Sequence, residues 1–169
     1  MREEVIGGQR LILGDCRDYI SEFSAIDLLL TDIPYNISQE SNGLRNLHYG
    51  DWDTKQHDPL DVVAMWLSKV TGTACVFLHE TQLSRAIDVL ESNSFTTRSF
   101  VWHKPNPTVL NGQHLFVPSV ELAAWGKKPR AYYSGNCLHN WLECTAPSGD
   151  DRCHPTPDTK TAIADVILH

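Results

Sequence analysis

Leu28-Leu29-Leu30-Thr31-Asp32-Ile33-Pro34-Tyr35-Asn36 is the stretch whose reading decides the fold. Three leucines and a threonine run without a break into a carboxylate, an aliphatic residue, a proline and a tyrosine, which predicts a buried parallel strand ending in a rigid elbow. Pro34 holds its φ at about −65° and stiffens the turn. In an open α/β sheet, ligands bind at the carboxyl ends of the strands, so Asp32 and Tyr35 are expected to face one. The competing reading is an ordinary Asp-x-Pro turn, since short motifs recur by chance.

Working outward from the elbow, the chain reads as alternating strands and helices. Arg10 to Asp15 predicts a short strand closing on Gly14-Asp15, and Cys16 to Phe23 a short helix. Asp58-Pro59 starts a helix, the acid as cap and the proline in the first turn. Leu60, Val63, Trp66, Leu67 and Val70 recur at helical spacing, with Gly72 as the stop. Thr73 to Leu78 predicts the next buried strand, followed by a helix capped by Thr81 with Leu83, Ala86, Ile87 and Leu90 on one face. His79 and Glu80 read as loop residues at that strand's carboxyl end. Phe95 to His103 and Ser119 to Lys128 read as two further strands. Ile37 to His57 is polar and irregular, a length that marks a functional or disordered loop.

Composition sets bounds. A chain of 169 residues with 41% hydrophobic and 21% charged residues fits one globular domain. No apolar run reaches a membrane span and no signal-peptide core follows Met1-Arg2-Glu3-Glu4, so a cytoplasmic address is expected. Five scattered cysteines suit reduced thiols. Cys137, His139, Cys144, Cys153 and His154 cluster in sequence but lack a paired Cys-x-x-Cys knuckle, so no metal site is assigned. The net charge of −7 weighs against a nucleic-acid partner, because affinity for DNA rests on cations neutralising phosphates. Lys104, Lys127, Lys128 and Arg130 are expected at one rim, which would offset that objection locally.

Five motifs in order carry a resemblance. Asp32-Ile33-Pro34-Tyr35, with Asn36 after it, resembles the Asp-Pro-Pro-Tyr signature of S-adenosylmethionine-dependent DNA amino-methyltransferases, the enzymes of adenine N6 and cytosine N4. Gly14-Asp15 before the helix, Gly50-Asp51-Trp52-Asp53 in the long loop, Trp102-His103-Lys104-Pro105-Asn106-Pro107 and His154-Pro155-Thr156-Pro157 resemble further segments of members with β-type motif order. Ile33 departs from the signature, and Asp158-Thr159 stands where the last motif has Lys-Pro.

The resemblance implies an α/β fold: a Rossmann-like methyltransferase sheet, permuted and incomplete, with a loop-rich target-recognition region. Residues 1–169 form a single partial domain, with a catalytic sheet half over 1–103, a hairpin and target-recognition region over 104–153, and the start of a cofactor-side helix over 154–169. It implies Asp32, Ile33, Pro34 and Tyr35 as catalytic residues. Asp32 and the Ile33 carbonyl would accept from the exocyclic amine, and Tyr35 would stack on a base swung out of the duplex. Asp15, His154 and Thr156 would meet S-adenosylmethionine; Asn36, Lys104 and Asn106 would meet substrate, with Asn111 and Gln113 as further candidates for base edges. The long loop would act as a lid. Double-stranded DNA is the implied partner, with a restriction endonuclease counterpart and a homodimer as further expectations. Asp at the head of the elbow favours adenine over cytosine. No Gly-x-Gly occurs in the sequence, so the cofactor-loop part is expected to be missing and this chain alone inactive. Two rivals stand beside this reading: a non-catalytic DNA-binding remnant and a zinc-stabilised binding module.

Overall fold

The computed structural model describes residues 2–36, 58–107, 116–134 and 137–145. The expected lid, Asn111, Gln113, His154, Thr156 and the C-terminal helix lie outside the described residues. The chain opens with a hairpin of β1 (Arg2–Ile6) and β2 (Gln9–Leu13). Gly7 and Gly8 both take positive φ, 58° and 84°, as a two-residue turn between twisted strands requires. The sequence reading found β2 and passed over β1. A 3-10 helix (Cys16–Glu22) follows, and then β3 (Ile26–Asp32).

The remaining elements are α1 (Pro59–Leu67), β4 (Val70–Leu78), a 3-10 turn (Glu80–Gln82), α2 (Leu83–Ser92), β5 (Thr96–His103), β6 (Val120–Lys127) and β7 (Trp141–Glu143). Asp58 caps α1 by accepting from the Leu60 N–H at 2.9 Å, with Pro59 in the first turn, as expected. The helix stops at Leu67, so Val70 and Gly72 belong to β4 instead. Thr81 does not cap α2: it lies in the 3-10 turn, which His79 caps, its Nδ1 accepting from the Thr81 N–H and its own N–H donating to Gln82 Oε1, while α2 itself begins after Gln82 with no side-chain cap.

One five-stranded sheet runs in the order β3-β4-β6-β5-β7. β3 is parallel to β4, β6 is antiparallel to both β4 and β5, and β7 is parallel to β5. Four strands therefore run one way with β6 reversed among them, the Rossmann-like mixed sheet expected. β7 was not foreseen, because three residues carry too little pattern to read. β3 is also less buried than its leucines imply: it is an edge strand among the described residues, and its side chains are half-covered or exposed. β4, beside it, is the most buried strand, with its last five residues enclosed.

The core joins α1 and α2 to one sheet face through Leu60, Val63, Leu67, Val76, Leu78, Ala86, Leu90 and Ala124. Cys75, Phe77 and Ala123 make a smaller cluster. Gly72 is required by close approach: the β3–β4 register slips between Ile26 and Leu28, and a Cβ on Gly72 would stand 2.1 Å from the Asp27 carbonyl oxygen.

Candidate functional site

The topology brings the carboxyl ends of β3, β4, β5 and β7 and the amino end of β6 to one edge of the sheet. In register across it, Asp32 lies beside Phe77 and Phe77 beside Ala123; one step further, Trp102 pairs with Glu121 and Leu142. The elbow leaves the sheet there. Asp32 closes β3 and is exposed, while the Ile33 N–H still donates to the Phe77 carbonyl at 3.2 Å. The Ile33 side chain is buried in the main core, which gives an aliphatic residue a reason to stand at this position. Asn36 ends the elbow with φ at 55°, a left-handed conformation that asparagine tolerates better than most residues.

Two side chains remote in sequence hold the elbow. Gln82 Nε2 donates to the Pro34 carbonyl at 2.9 Å, while Gln82 Oε1 accepts from the His79 N–H at 2.9 Å, so one amide ties the elbow to the end of β4. The Tyr35 hydroxyl donates to Glu121 Oε2 at 3.4 Å. Glu121 Oε1 accepts from the Lys104 ammonium, which also lies 5.2 Å from the centre of the Trp102 ring. The Tyr35 ring meets the His79 imidazole at 6.2 Å between centroids, tilted by 52°. Tyr35 is thus approached from its hydroxyl end and from one side.

Among the expected site residues, Asp32, Ile33, Pro34, Tyr35 and Asn36 form this elbow and Lys104 joins it through Glu121. Asn106 follows Lys104 in the segment after β5. Asp15 caps the 3-10 helix: it accepts from the Arg17 N–H and forms an ion pair with the Arg17 guanidinium. The Arg17 side chain, and then its backbone N–H, hold the Asp15 carboxyl down at about 2. Lys127 and Lys128 stand at the opposite end of the sheet from the elbow. Because β6 runs backwards, Val120 is its elbow-side residue and Lys127 pairs with Thr73 and Thr96 at the far ends of β4 and β5. At about 3.4 Å per residue, the strand from Val120 to Lys127 spans roughly 24 Å. Lys128 is occupied there by the Asn93 carbonyl and the Phe95 ring.

Gln82, His79 and Glu121 are the elbow residues that the sequence reading did not assign. His79 carried a signal by its place at a strand's carboxyl end and Glu121 by being a charge inside the otherwise apolar run Val120-Glu121-Leu122-Ala123-Ala124-Trp125, whereas Gln82 carried none.

Comparison with solved structures adds the fold's relatives. A crystal structure of the M1.HpyAVI–SAM complex superposes with a TM-score of 0.67 at 22% identity, covering 92% of this chain and 74% of that one. The PvuII DNA methyltransferase (cytosine-N4-specific) gives a TM-score of 0.55 at 16% identity, over 83% of this chain and 58% of that one. The chain shares their fold. A second crystal structure of M1.HpyAVI matches with a TM-score of 0.52 at 22% identity, over 75% of this chain and 60% of that one. The chain therefore spans less than two thirds of two of these three relatives and about three quarters of the other. No family model matches the sequence, and none of the curated proteins does.

Proposed function

We propose that this chain carries the catalytic and target-binding portions of an S-adenosylmethionine-dependent DNA methyltransferase that acts on adenine N6. The observation that carries the reading is the elbow: an Asp-Ile-Pro-Tyr turn at the carboxyl edge of a sheet shared with a DNA methyltransferase, clamped by Gln82 and Glu121. An exocyclic base amine is a poor nucleophile because its lone pair is delocalised into the ring. Two acceptors that take its N–H groups pull the nitrogen toward a tetrahedral shape. Asp32 is one. By resemblance to the family signature, the backbone carbonyl of Ile33 is the other. Tyr35 and Asn36 face the base, which must leave the helix to reach them. Lys104 and Asn106 meet the DNA strand.

S-adenosylmethionine is the methyl donor under this reading. The Asp15 carboxylate is engaged by Arg17, and His154 and Thr156 lie outside the described residues. What the described residues supply is the acceptor side: orientation of the amine and a ring for the base.

Incubation with S-adenosylmethionine labelled in its methyl group and mixed-sequence duplex DNA, followed by nucleoside analysis, tests the reading. Label in N6-methyladenine that disappears in Asp32→Ala is the expected result. Label in N4-methylcytosine would overturn the adenine assignment, and full transfer by Asp32→Ala would overturn the role of Asp32. A second reading, DNA binding without methyl transfer, is favoured by the Asp15 carboxylate, which Arg17 already engages. It predicts duplex binding indifferent to S-adenosylmethionine.

A further inference from the structure

We propose that Glu121 is a positioning residue that holds Lys104 and Tyr35 together at the elbow and competes with nucleic-acid phosphate for Lys104. The proposal rests on the nucleic-acid reading above and goes beyond it by giving Lys104 an internal competitor. Glu121 has two oxygens in two uses: Oε1 takes the Lys104 ammonium and Oε2 takes the Tyr35 hydroxyl. Both charged side chains are largely covered, 18% exposed for Lys104 and 26% for Glu121, so salt screens the pair less than it would a surface pair. The Trp102 ring beneath the ammonium adds to its hold.

Lys104 is the lysine among the described residues that stands at the elbow end of the sheet, since Lys127 and Lys128 are at the far end and Lys69 precedes β4. A phosphate arriving beside Tyr35 meets that ammonium already paired. The two uses of Glu121 differ in quality. Its contact with Lys104 is close, whereas 3.4 Å to the Tyr35 hydroxyl is long for an O–H···O bond, and a carboxylate acceptor normally draws a hydroxyl to about 2.5–2.7 Å. Transfer of Lys104 to a phosphate leaves the carboxylate to Tyr35 alone, and the hydroxyl contact shortens. Capture of the strand and fixing of the stacking ring are then one event.

The test is equilibrium binding of a mixed-sequence duplex over a range of salt, for the whole chain and its variants Glu121→Gln, Lys104→Gln, the double variant and Asp88→Asn. Asp88→Asn, exposed on α2, makes the same change in net charge away from the elbow. Glu121→Gln is expected to bind several-fold more tightly, with a log–log salt slope steeper by up to about 0.9, the value of one phosphate contact. The double variant is expected to behave as Lys104→Gln, and Asp88→Asn to keep the wild-type slope.

A wild-type slope in Glu121→Gln, or the same gain with Lys104 already removed, overturns the proposal and leaves the nucleic-acid reading standing. A slope unchanged in Lys104→Gln overturns it from the other side of the contact, even if Glu121→Gln fails to fold. If neither wild type nor Glu121→Gln binds duplex in a salt-dependent way, the nucleic-acid reading falls and this proposal falls with it.

Discussion

The sheet around β4 and the hairpin of β1 and β2 are stabilised by different physics. β4 is covered on both faces: Cys75, Val76, Phe77 and Leu78 are all buried, and α1 and α2 close one side through Leu60, Leu67, Ala86 and Leu90. The hairpin exposes Val5, Ile6, Leu11 and Leu13 and is tied down by exposed ion pairs, Arg10 to Glu3 and Glu22. Burial is worth roughly 25 cal/mol per Å² of apolar surface, whereas an exposed ion pair contributes about 0–1 kcal/mol. The elbow belongs to the first region by its packing, through Ile33, and this anchors residues that must hold a geometry. A two-stranded hairpin by itself is marginal.

The largest effect expected from this contrast is in side-chain truncation. Leu78→Ala, at 1% exposure, is expected to lose about 2–5 kcal/mol of stability in urea unfolding. Leu13→Ala, at 73% exposure, is expected to change it by no more than about 0.5 kcal/mol. Comparable losses at the two positions would mean that the hairpin face is covered in solution, and the contrast would fail.

A smaller effect sharpens the boundary between the regions. Gly72 sits where β3 joins β4, with the Asp27 carbonyl in the space that a side chain would need. Gly72→Ala must push the two strands apart and is expected to cost about 1–3 kcal/mol by overpacking, read as a lower thermal midpoint. A neutral outcome would show that the β3–β4 register slip relaxes freely, and β3 would then be grouped with the hairpin.

What the sequence made legible follows the same division. Local chemistry was readable: Asp58-Pro59 announced α1, the run Thr73 to Leu78 announced β4, and Asp32-Ile33-Pro34-Tyr35 announced an elbow at a strand's carboxyl end. Long-range register was not. Glu121 reaches Tyr35 across 86 positions, and only the reversed direction of β6 puts it there while sending Lys127 and Lys128 to the far end. The parallel pairing of β7 with β5 is likewise a property of the assembled sheet, since Trp141-Leu142-Glu143 has no pattern of its own. Gly7-Gly8 drew no turn reading, and the strand before it was passed over, because a hairpin shows only once its two strands are paired. The contribution of Asp15 to the site is the least legible of all, because one acidic residue after a strand suits a helix cap and a ligand contact equally.

The smallest effect expected is in acid, and it separates the regions without any mutation. The Asp15 carboxyl is held at about 2, below the usual 3.8, by hydrogen bonds from the Arg17 side chain and backbone, and Glu3 is lowered by its hydrogen bond from Arg10. A carboxyl lowered in the folded state adds stability above its unfolded value. That contribution shrinks as pH falls below 3.8 and is gone once the folded value near 2 is passed. Both groups are exposed, so solvent screening keeps the contribution small. The pairs tie the start of the chain and the 3-10 helix after it, while β4 carries no carboxylate. Amide exchange followed down this pH range is therefore expected to show β1, β2 and residues 15–22 losing protection before β4 does. Simultaneous loss would show that the hairpin and the sheet unfold as one cooperative unit, with the ion pairs contributing nothing separable. Added salt should advance the loss at the hairpin and leave β4 unmoved, because screening acts on exposed pairs and not on buried apolar contacts.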